Sequence, residues 1–316
     1  MGLSAPFFSS RNINRMSALR TDAQGLAKLI HDPAAVFIAI RSGDALTIND
    51  QAALLSISEV ISRAELQRTL CIDNFIYLGF DKSHHLFAFD ADRTPGFSDP
   101  VGHTYITGRD LLTTLDHEAA ALLAYARAMI HWQNSQQFCG HCGNKNKSTE
   151  GGFVMACSHC GQRSFPRLDP AIITLVHNQN RCLLGRQISW PEQRYSTVAG
   201  FVEPGESLED ALRREVQEET NIIVGECQYL ASQPWPFPAA LMIGFHAEGL
   251  STQIALNDNE LADAAWFSRE QLRSGEIILP PQQSIAFQLI AEWHDLDSEE
   301  RLADIPPSDS FNAPSA

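Results

Sequence analysis

The sequence is poor in basic residues: 23 Lys and Arg stand against 38 Asp and Glu in 316 residues, a formal net charge of −15. A surface with this charge repels a phosphate backbone, so the composition argues against non-specific nucleic-acid binding. A small anionic substrate is still compatible with this charge, provided that a bound metal ion supplies positive charge locally.

Long apolar runs are also missing. No segment approaches the roughly 18 residues that a membrane-spanning helix needs, and the N-terminus lacks the apolar core of a signal peptide. The chain ends in Asn-Ala-Pro-Ser-Ala, which is not a peroxisomal signal. We therefore expect a cytoplasmic protein without a membrane partner. Arg11, Arg15 and Arg20 precede the first acid, Asp22, and leave a mitochondrial transit peptide as the alternative.

Four of the seven cysteines form two Cys-x2-Cys pairs, separated by fourteen residues. This spacing is typical of one tetrahedral zinc ion per chain, held by four thiolates with no open position, and hence structural. Two disulfides are the alternative, which no secretion signal supports. The predicted zinc ligands are Cys139, Cys142, Cys157 and Cys160, while Cys71, Cys182 and Cys227 lie in apolar surroundings and are predicted core residues.

The length suggests two or three domains. Short apolar segments predict strands at 36–40, 75–80, 85–89, 171–176, 181–185, 195–199 and 241–247, and helical spacing predicts helices at 111–132, 208–220 and 284–293. We expect an N-terminal domain at 1–133, a zinc ribbon at 134–166, a third domain at 167–297, and a disordered acidic, Pro- and Ser-rich tail at 298–316.

The segment 200–222 indicates where the chemistry lies. Ser207 is a good N-cap for the predicted helix, and an apolar face of Leu208, Ala211, Leu212 and Val216 follows. Three acids fall on or beside that face, where like charges repel and desolvation is costly, and a hard divalent cation removes this cost. These acids are Glu215, Glu218 and Glu219.

This segment resembles the Nudix box, Gly-x5-Glu-x7-Arg-Glu-apolar-x-Glu-Glu-x-Gly-apolar. Asn221 stands where the pattern has Gly, just past the helix, and Asn is the next best residue for the left-handed conformation usual there. The resemblance implies hydrolysis of a nucleoside diphosphate linked to another group, with Mg²⁺ or Mn²⁺. The matching residues are Gly200, Glu206, Arg214, Glu215, Val216, Glu218, Glu219 and Ile222.

A second motif lies ten residues beyond the box, at 232–242. Its three prolines predict a stiff, extended loop that holds two aromatic side chains, either as a platform for a substrate ring or packed on the core. The segment resembles the Ser-Gln-Pro-Trp-Pro-Phe-Pro-x-Ser motif of NADH pyrophosphatases. Ala240 replaces the final Ser of that motif, so we expect this chain to lack the hydroxyl contact to the substrate at this position and to bind it less tightly.

The resemblance to the NADH pyrophosphatase family extends over most of the chain, because a zinc ribbon directly before the Nudix domain is typical of that family. It implies an α+β protein: a Nudix α/β/α sandwich with a mixed sheet, preceded by the ribbon and an N-terminal α+β domain. It also implies a homodimer that cleaves NADH or NAD⁺ to nicotinamide mononucleotide and AMP, and removal of NAD caps from RNA 5′ ends in some members.

The resemblance assigns roles by position. Glu215, Glu218 and Glu219 would act in catalysis and hold Mg²⁺ or Mn²⁺, together with Glu260 and the carbonyl of Ala199. Substrate contacts would come from Phe165, Phe201, Gln233, Pro234, Trp235, Pro236, Phe237, Pro238, Ala239, Ala240, Ala286 and Arg109.

The expected reaction is attack of water on a phosphorus of the pyrophosphate, with a box glutamate or Glu260 taking the proton. Arg214 is expected to orient a neighbouring carboxylate. A Nudix hydrolase for another nucleotide such as ADP-ribose, and a non-enzymatic zinc-ribbon binding module, are the alternatives. The intact glutamates and the scarcity of basic residues between the cysteine pairs argue against the module.

Overall fold

The computed structural model describes residues 6–61, 74–108, 110–257 and 260–305. The chain folds into two compact units. The N-terminal unit comprises Phe8–Leu168 and Trp235–Ala239, and the C-terminal unit comprises Met1–Phe7, Asp169–Pro234 and Ala240–Ala316. The five-residue insertion of 235–239 into the N-terminal unit means that part of the second sequence motif packs there.

The N-terminal unit is built on a mixed sheet in the order β3-β2-β1-β5-β4, with β6 also paired to β2. Its central strands β1 and β5 are parallel, and the other described pairings are antiparallel. The strands are β1 (Ala35–Arg41), β2 (Asp44–Ile48), β3 (Gln51–Ala52), β4 (Ile76–Phe80), β5 (His85–Asp90) and β6 (Thr104–Ile106). The helices are α1 (Ala23–Leu29), α2 (Ile57–Val60), α3 (Leu111–Thr114) and α4 (His117–Ser135).

The core of this sheet is aromatic. Phe37 and Phe87 stack across β1 and β5 with ring centroids 5.3 Å apart, and Phe75 meets Phe37 edge to face at 5.0 Å. The inner residues of β1 and β5, 37–40 and 86–89, are all apolar and buried, as expected for a parallel pair covered on both faces. The strands predicted at 36–40, 75–80 and 85–89 are therefore confirmed.

The helix predicted at 111–132 is two helices. Leu115 is extended, with φ −106° and ψ 155°, and Asp116 caps α4 by accepting a hydrogen bond from the Ala119 N–H at 2.8 Å. The helical spacing continues through the break because α3 buries two leucine side chains and α4 buries leucine and alanine side chains. Asp116, a strong N-cap residue type, was the available signal for a new helix start.

The zinc ribbon belongs to the same unit and forms a small antiparallel sheet. Its strands are β7 (Asn146–Thr149), β8 (Val154–Cys157) and β9 (Arg163–Ser164).

The C-terminal unit contains a second mixed sheet in the order β13-β14-β10-β11-β15, with β12 paired to β10. Strands β10 and β14 are parallel, and β11 and β12 pair antiparallel with β10. The strands are β10 (Asp169–Asn178), β11 (Arg181–Gln187), β12 (Val198–Phe201), β13 (Val224–Trp235), β14 (Ala240–Gly249) and β15 (Leu261–Ser268). The helices are α5 (Leu208–Thr220), α6 (Arg269–Arg273) and α7 (Ile285–Asp295).

Helices cover both faces of this sheet. Ile172 and Val176 of β10 share one hydrophobic cluster with Leu212 of α5. Ile173 and Leu175 point the other way and share a second cluster with Ile285, Leu289 and Ile290 of α7. Because successive residues of β10 point to opposite faces of the sheet, this strand contributes side chains to both hydrophobic clusters. A sheet with helices on both faces is the expected α/β/α sandwich of the α+β class.

Three details differ from the sequence prediction. The strand predicted at 195–199 begins only at Val198, after an isolated bridge at Ser196. Residues 232–235 are the end of β13 rather than a loop. The predicted disordered tail is ordered at 298–305, where Leu302 is 3% exposed and its N–H donates to Asp295 at 2.9 Å. Residues 306–316 lie outside the described residues.

Candidate active site and zinc centre

Helix α5 begins and ends where the sequence predicted. The Ser207 side chain accepts a hydrogen bond from the Asp210 N–H at 3.1 Å, which satisfies one of the free N–H groups of the first turn. Asn221 ends the helix with φ 62° and ψ 15°, in the left-handed region that the sequence analysis expected at this position. The departure from Gly is therefore accommodated by the backbone that the motif requires.

The three box glutamates are not equally buried. Glu219 is 4% exposed, beside the buried Val216, and the Glu215 side chain is 14% exposed. The prediction of a uniformly inward cluster is wrong for Glu218, whose side chain is 54% exposed. At 100° per residue, position 218 lies between the buried face and solvent, and its carboxylate is drawn toward Arg214.

Gly200 is the position at which the box glutamates meet the sheet. It lies in β12 opposite Ile172, and a Cβ atom added there would overlap the carboxyl group of Glu215. Since Gly200 has no side chain, the carboxylate can lie directly against the strand. This close approach is a physical reason for a glycine at the start of the box.

Arg214 binds several carboxylates at once. Its Nε and one terminal nitrogen form a bidentate pair with Glu206, at 2.6 and 2.9 Å. The other terminal nitrogen donates to Glu215 at 2.9 Å and to Glu218 at 3.1 Å. A further bond of 3.0 Å to the Phe201 carbonyl ties the guanidinium to β12. Arg214 therefore orients the acids, as its fixed fork of donors allows.

The electrostatics separate two kinds of acid in this network. The hydrogen bonds from Arg214, with the Glu203 N–H next, lower the pKa of Glu206 to about 2. Burial instead raises the pKa of Glu215, and the charges of Glu218 and Glu260 add to the rise, while Arg214 opposes it. Glu260 is thus close enough to Glu215 for their charges to interact.

A divalent cation fits the chemistry of this donor set. Glu215 and Glu218 each give one oxygen to Arg214, so their second oxygens are not used by that arginine. Clustered carboxylate oxygens are the ligands that Mg²⁺ and Mn²⁺ prefer. The positive charge of a cation would stabilise the ionised form of Glu215, whose pKa is raised by burial and by the neighbouring carboxylates. In the described part of the chain, the four cysteines are the one group of three or more metal-ligating residues whose ligand atoms all lie within 4.8 Å of one another.

The other positions predicted near the glutamates differ in exposure. Phe201, at the end of β12, is 60% exposed and so presents a ring surface beside the Arg214 network. Ala199 is also exposed and pairs with Ile173. Ala286 is 6% exposed and lies within the cluster between α7 and the sheet. The substrate and metal roles of these residues stay predictions.

Gln233 is a correction among the predicted substrate contacts. Its side chain is fully buried, and its amide nitrogen donates to the carbonyls of Phe7 at 3.2 Å and Gln283 at 2.9 Å. Its amide oxygen accepts from the Ile285 N–H at 2.8 Å. Because both ends of the amide are satisfied by backbone groups, we remove Gln233 from the proposed substrate contacts.

Residues 235–239 form the connection between β13 and β14, with a cis peptide bond before Pro238. Trp235 and Phe237 meet edge to face at 5.1 Å, and both contact Phe8 in the same way, at 6.1 and 5.8 Å. Both motif rings are only half-buried, so each keeps an open surface. The remaining motif positions range from buried Pro236 and Ala240 to half-buried Pro234 and Ala239 and exposed Pro238.

Arg127 was not identified from the sequence, although it contacts this connection. Its Nε donates to the Gly43 carbonyl at 2.5 Å, a terminal nitrogen donates to the Pro236 carbonyl, and its guanidinium carbon lies 5.0 Å from the centre of the Phe237 ring. One arginine in the Ala- and Leu-rich spacing of α4 carries no motif, so its partners became visible only in three dimensions.

The four predicted zinc ligands converge. Their sulfur atoms are separated by 3.7 Å for Cys139 and Cys160, 3.4 Å for Cys142 and Cys157, and 3.5 Å for Cys142 and Cys160. A tetrahedral site with Zn–S bonds of about 2.3 Å has sulfurs about 3.8 Å apart. The distances exceed a disulfide bond of about 2.05 Å, and all four cysteines are free, which excludes the two-disulfide alternative in this structure.

The surroundings of two of these sulfurs, those of Cys142 and Cys157, favour the thiolate, whereas the neighbouring thiols raise the pKa of Cys160. Hydrogen bonds from the backbone N–H and then the side-chain amide of Asn144 lower the pKa of Cys142 to about 5. The N–H groups of Cys160 and His159 likewise lower the pKa of Cys157. Because the thiolate is the form that binds metal, these donors prepare the site for zinc.

Of the remaining sequence-predicted residues, Phe165 follows the ribbon, is 59% exposed, and has the Arg163 guanidinium 5.3 Å from its ring centre. Cys182 is buried and Cys227 is half-buried against the cluster beneath α5. Arg109 and Cys71 lie outside the described residues.

The fold and the site define a Nudix-type domain that follows a zinc ribbon. Family models match the same parts of the chain: a NUDIX domain at residues 167–290, an NADH pyrophosphatase zinc ribbon domain at 134–165, and an NADH pyrophosphatase-like rudimentary NUDIX domain at 34–132.

Curated relatives agree with these models. The NAD-capped RNA hydrolase NudC of Mycobacterium bovis is 32% identical over 305 residues, which cover 92% of this chain and 95% of that protein. The human NAD-capped RNA hydrolase NUDT12 is 41% identical over 199 residues, which cover 58% of this chain. The matched region spans only 43% of the length of the human relative. The chain belongs to the NADH pyrophosphatase family of Nudix hydrolases.

Among solved structures, a NUDIX hydrolase from Nitrosomonas europaea aligns with a TM-score of 0.39 and 23% identity, over 50% of this chain and 86% of that one. In the described ranges, none of the helices is both long enough and apolar enough to cross a bilayer.

Proposed function

We propose that this protein hydrolyses the pyrophosphate of NAD(H) to nicotinamide mononucleotide and AMP, in a reaction that requires Mg²⁺ or Mn²⁺. The observation that carries the proposal is the acid network of α5: a buried Glu219, and a Glu215 held against Gly200 and oriented by Arg214. Because the chain belongs to the NADH pyrophosphatase family, we propose that the substrate of this acid network is a pyrophosphate.

In the proposed reaction, the ligands of the divalent cation would be the Ala199 carbonyl oxygen and the carboxylates of Glu215, Glu218, Glu219 and Glu260. When bound there, Mg²⁺ or Mn²⁺ would neutralise phosphate oxygens and lower the pKa of a bound water. Arg214 keeps the Glu215 carboxylate in place, and one of the box glutamates or Glu260 takes the proton of the attacking water. Phe201, Trp235 and Phe237 provide ring surfaces for the two bases of the dinucleotide.

NAD-capped RNA is the second proposed substrate, since NudC and NUDT12 are named as hydrolases of it. The net charge of −15 disfavours contacts to a long phosphate backbone. We therefore propose that the cap, rather than the RNA body, supplies the recognition. We also propose that the protein acts as a homodimer in the cytoplasm, where the thiolates of its ribbon stay reduced.

The decisive experiment compares initial rates on NADH, NAD⁺, ADP-ribose and NAD-capped RNA, each with Mg²⁺ and with Mn²⁺. We expect NAD(H) or the capped RNA to have the highest kcat/KM. A clear preference for ADP-ribose would instead support a Nudix hydrolase for another nucleotide, and no turnover of any of the four would favour a binding module. Light scattering of the same preparation tests the dimer.

The recognition part of the proposal predicts that Phe237→Ala lowers kcat/KM for NADH about 5- to 150-fold, because stacking on a flat ring is worth roughly 1–3 kcal/mol. A slow pyrophosphatase activity should remain because the glutamates are unchanged. Phe237 also packs on Phe8 and Trp235, so its loss should lower the melting temperature as well.

The matched control for lost packing is Phe97→Ala, which removes a half-buried ring that packs on Phe89 in the N-terminal core. This control should lower the melting temperature without changing kcat/KM per folded molecule. If Phe237→Ala behaves in the same way as the control, the ring has a packing role alone and the assigned recognition is wrong.

A further inference from the structure

Arg127 is placed to fix the shape of the connection 235–239. It projects from α4, the long helix of the N-terminal unit, and its guanidinium has three separate partners. The Gly43 carbonyl accepts from Nε at 2.5 Å, the Pro236 carbonyl accepts from a terminal nitrogen, and the Phe237 ring lies 5.0 Å away. Two of these partners belong to the motif that was predicted to bind the substrate.

The charge of Arg127 is held without a carboxylate ligand. Burial lowers the pKa of the guanidinium, and the charge of Asp44 partly opposes this. Among the described residues, no acid forms an ion pair with Arg127, so carbonyl dipoles and a ring face are its described partners. Partial burial of a cation costs free energy, and an apolar side chain would fill the same space without that cost. What the arginine adds is a direct link between Gly43 and Pro236.

The Phe237 ring is also fixed from another side. Gly108 lies directly against it, and a Cβ atom added at Gly108 would overlap the ring edge. Phe8, which is 3% exposed, contacts both Trp235 and Phe237 edge to face. Arg127, Gly108 and Phe8 therefore enclose the inner side of the connection, and we call these three residues the seat.

We propose that Arg127 is a positioning residue that sets the affinity for the substrate, by holding Pro236 and Phe237 in the conformation that binds it. This inference rests on the proposed function, because it takes 235–239 as the substrate-recognition segment. It also assigns a role to the rudimentary NUDIX domain: the N-terminal unit supplies the seat on which a segment of the NUDIX domain sequence is ordered.

The energetic reason is preorganisation. A connection that is already ordered loses little conformational entropy when a ligand binds, and one released from the seat must be ordered at the moment of binding. Such a loss affects the ground state and the transition state alike. It should therefore raise KM and leave kcat nearly unchanged. A purely structural role predicts a lower melting temperature with KM unchanged.

The test uses the full-length, zinc-loaded protein. Arg127→Met keeps much of the side-chain volume and removes both hydrogen bonds, so we expect KM for NADH to rise about tenfold, with kcat changed less than about twofold. Arg127→Lys keeps the charge but can no longer form the fork. It should recover only part of the affinity.

Arg41→Met is the matched control. Arg41 is a partly buried arginine of the same unit that pairs with Asp92 and Asp99 and lies 4.7 Å from the Tyr105 ring centre, so its loss should also lower stability. These partners all lie outside residues 235–239, and KM of the variant should stay at the wild-type value. Equal KM values for Arg127→Met and Arg41→Met would overturn the proposal.

Hydrogen exchange of the peptide 232–242 provides a readout that does not depend on activity. Exchange should accelerate in Arg127→Met and not in Arg41→Met, and unchanged exchange in Arg127→Met would overturn the proposal whatever the kinetics. If wild-type protein fails to hydrolyse NADH while the exchange result holds, the proposed function fails and the seat stands.

Gly108→Ala tests the seat from its second side. The added Cβ would displace the Phe237 ring and crowd the Arg127 nitrogen that donates to Pro236, so this variant should also raise KM. This variant also decides the question if Arg127→Met does not fold. A Gly108→Ala protein with wild-type KM and wild-type exchange would contradict the proposal.

Discussion

The two large sheets of this protein share a frame and differ in content. The N-terminal order β6-β2-β1-β5-β4 and the C-terminal order β15-β11-β10-β14-β13 correspond strand for strand. The central pairs β1–β5 and β10–β14 are both parallel, and the strand beside each pair, β2 or β11, is antiparallel to it. In each sheet a long helix follows the last large strand, α4 in one and α7 in the other.

The difference lies in what was added to the frame. The C-terminal sheet has β12, the strand on which Gly200 receives Glu215, and α5 with its acids. In the described part of the N-terminal sheet, the segment after β3 pairs with β1 through the isolated bridge of Leu55 to Phe37. At the corresponding place, the described part of the N-terminal sheet has the single turn of α2, where Glu59 hydrogen-bonds its own cap residue, Ser56. The frame alone therefore does not provide chemistry, and a few residues grafted onto it do.

The cores differ in the same sense. The N-terminal sheet is filled by aromatic rings such as Phe37, Phe75 and Phe87, whereas aliphatic side chains fill most of both C-terminal clusters. The N-terminal unit offers Arg127 and Gly108 to residues 235–239, and its described Arg41 network joins two aspartates rather than a cluster of glutamates on one helix. Its contribution is thus support, and the contribution of the C-terminal sheet is chemistry.

The strongest test of this division replaces one glutamate by glutamine in each of the two units. Glu219→Gln keeps the side-chain shape and should lower turnover by orders of magnitude without unfolding the protein, because a buried carboxylate of the proposed metal site is lost. Initial rates on NADH, measured with the melting temperature of the same sample, give the result. Near-normal activity in folded Glu219→Gln protein would contradict its assignment.

Glu59→Gln is the control in the N-terminal sheet. It weakens the α2 cap, where the backbone N–H of Ser56 and then its side chain lower the pKa of Glu59. We expect a small loss of stability and unchanged turnover. A large loss of activity from this substitution would show that the N-terminal sheet takes part in the chemistry.

The zinc ribbon gives the second test. Cys142→Ser should reduce zinc content and folded yield together, because the free energy of metal binding is part of the free energy of folding. Zinc is measured by elemental analysis of the purified protein. Cys227→Ser, a half-buried thiol in the C-terminal unit, should keep one zinc per chain. Wild-type protein that contains no zinc would overturn the assignment.

The sequence predicted those parts of the fold and site in which one local pattern settles the structure. Helix α5 was found residue for residue because Ser207, the apolar spacing and Asn221 all agree. The zinc ligands followed from spacing alone. Strand β13 was missed because its exposed and half-buried residues from Val224 to Trp235 include Gly, Glu, Gln and Pro, which do not predict a strand.

Other features depend on partners distant in the chain. The Gln233 amide donates to the carbonyls of Phe7 and Gln283, and Arg127 donates to the carbonyls of Gly43 and Pro236. No local pattern around either residue specifies such partners. The exposure of Glu218 was misjudged for a different reason, since its partner Arg214 lies only four residues away on the same helix: a helical wheel gives the direction of a side chain but not the position of its carboxylate.

The smallest expected effect concerns acid sensitivity, which should belong to the C-terminal sheet. The inner residues of β5 are apolar, whereas β14 places His246 beneath α7, where its Nε2 meets the Leu289 carbonyl at 2.8 Å. Burial lowers the pKa of His246 to about 4, with the hydrogen bond to Leu289 opposing and the neighbouring His177 adding to the fall. The unfolded chain therefore binds more protons than the folded chain between pH 6.5 and about 4.

It follows that His246 does not lower the free energy of unfolding above pH 6.5. Below that pH it lowers the free energy of unfolding by about 1.4 kcal/mol per pH unit, until His246 is also protonated in the folded state. His246→Gln can still donate to Leu289 and does not titrate. Lowering the pH from 7.5 to 4.5 should therefore reduce the melting temperature of wild type by several degrees more than that of His246→Gln. Ile243→Val, a neutral substitution on the same strand, should differ from wild type by the same amount at both pH values. A constant difference for His246→Gln as well would show that His246 does not carry the acid sensitivity of this sheet.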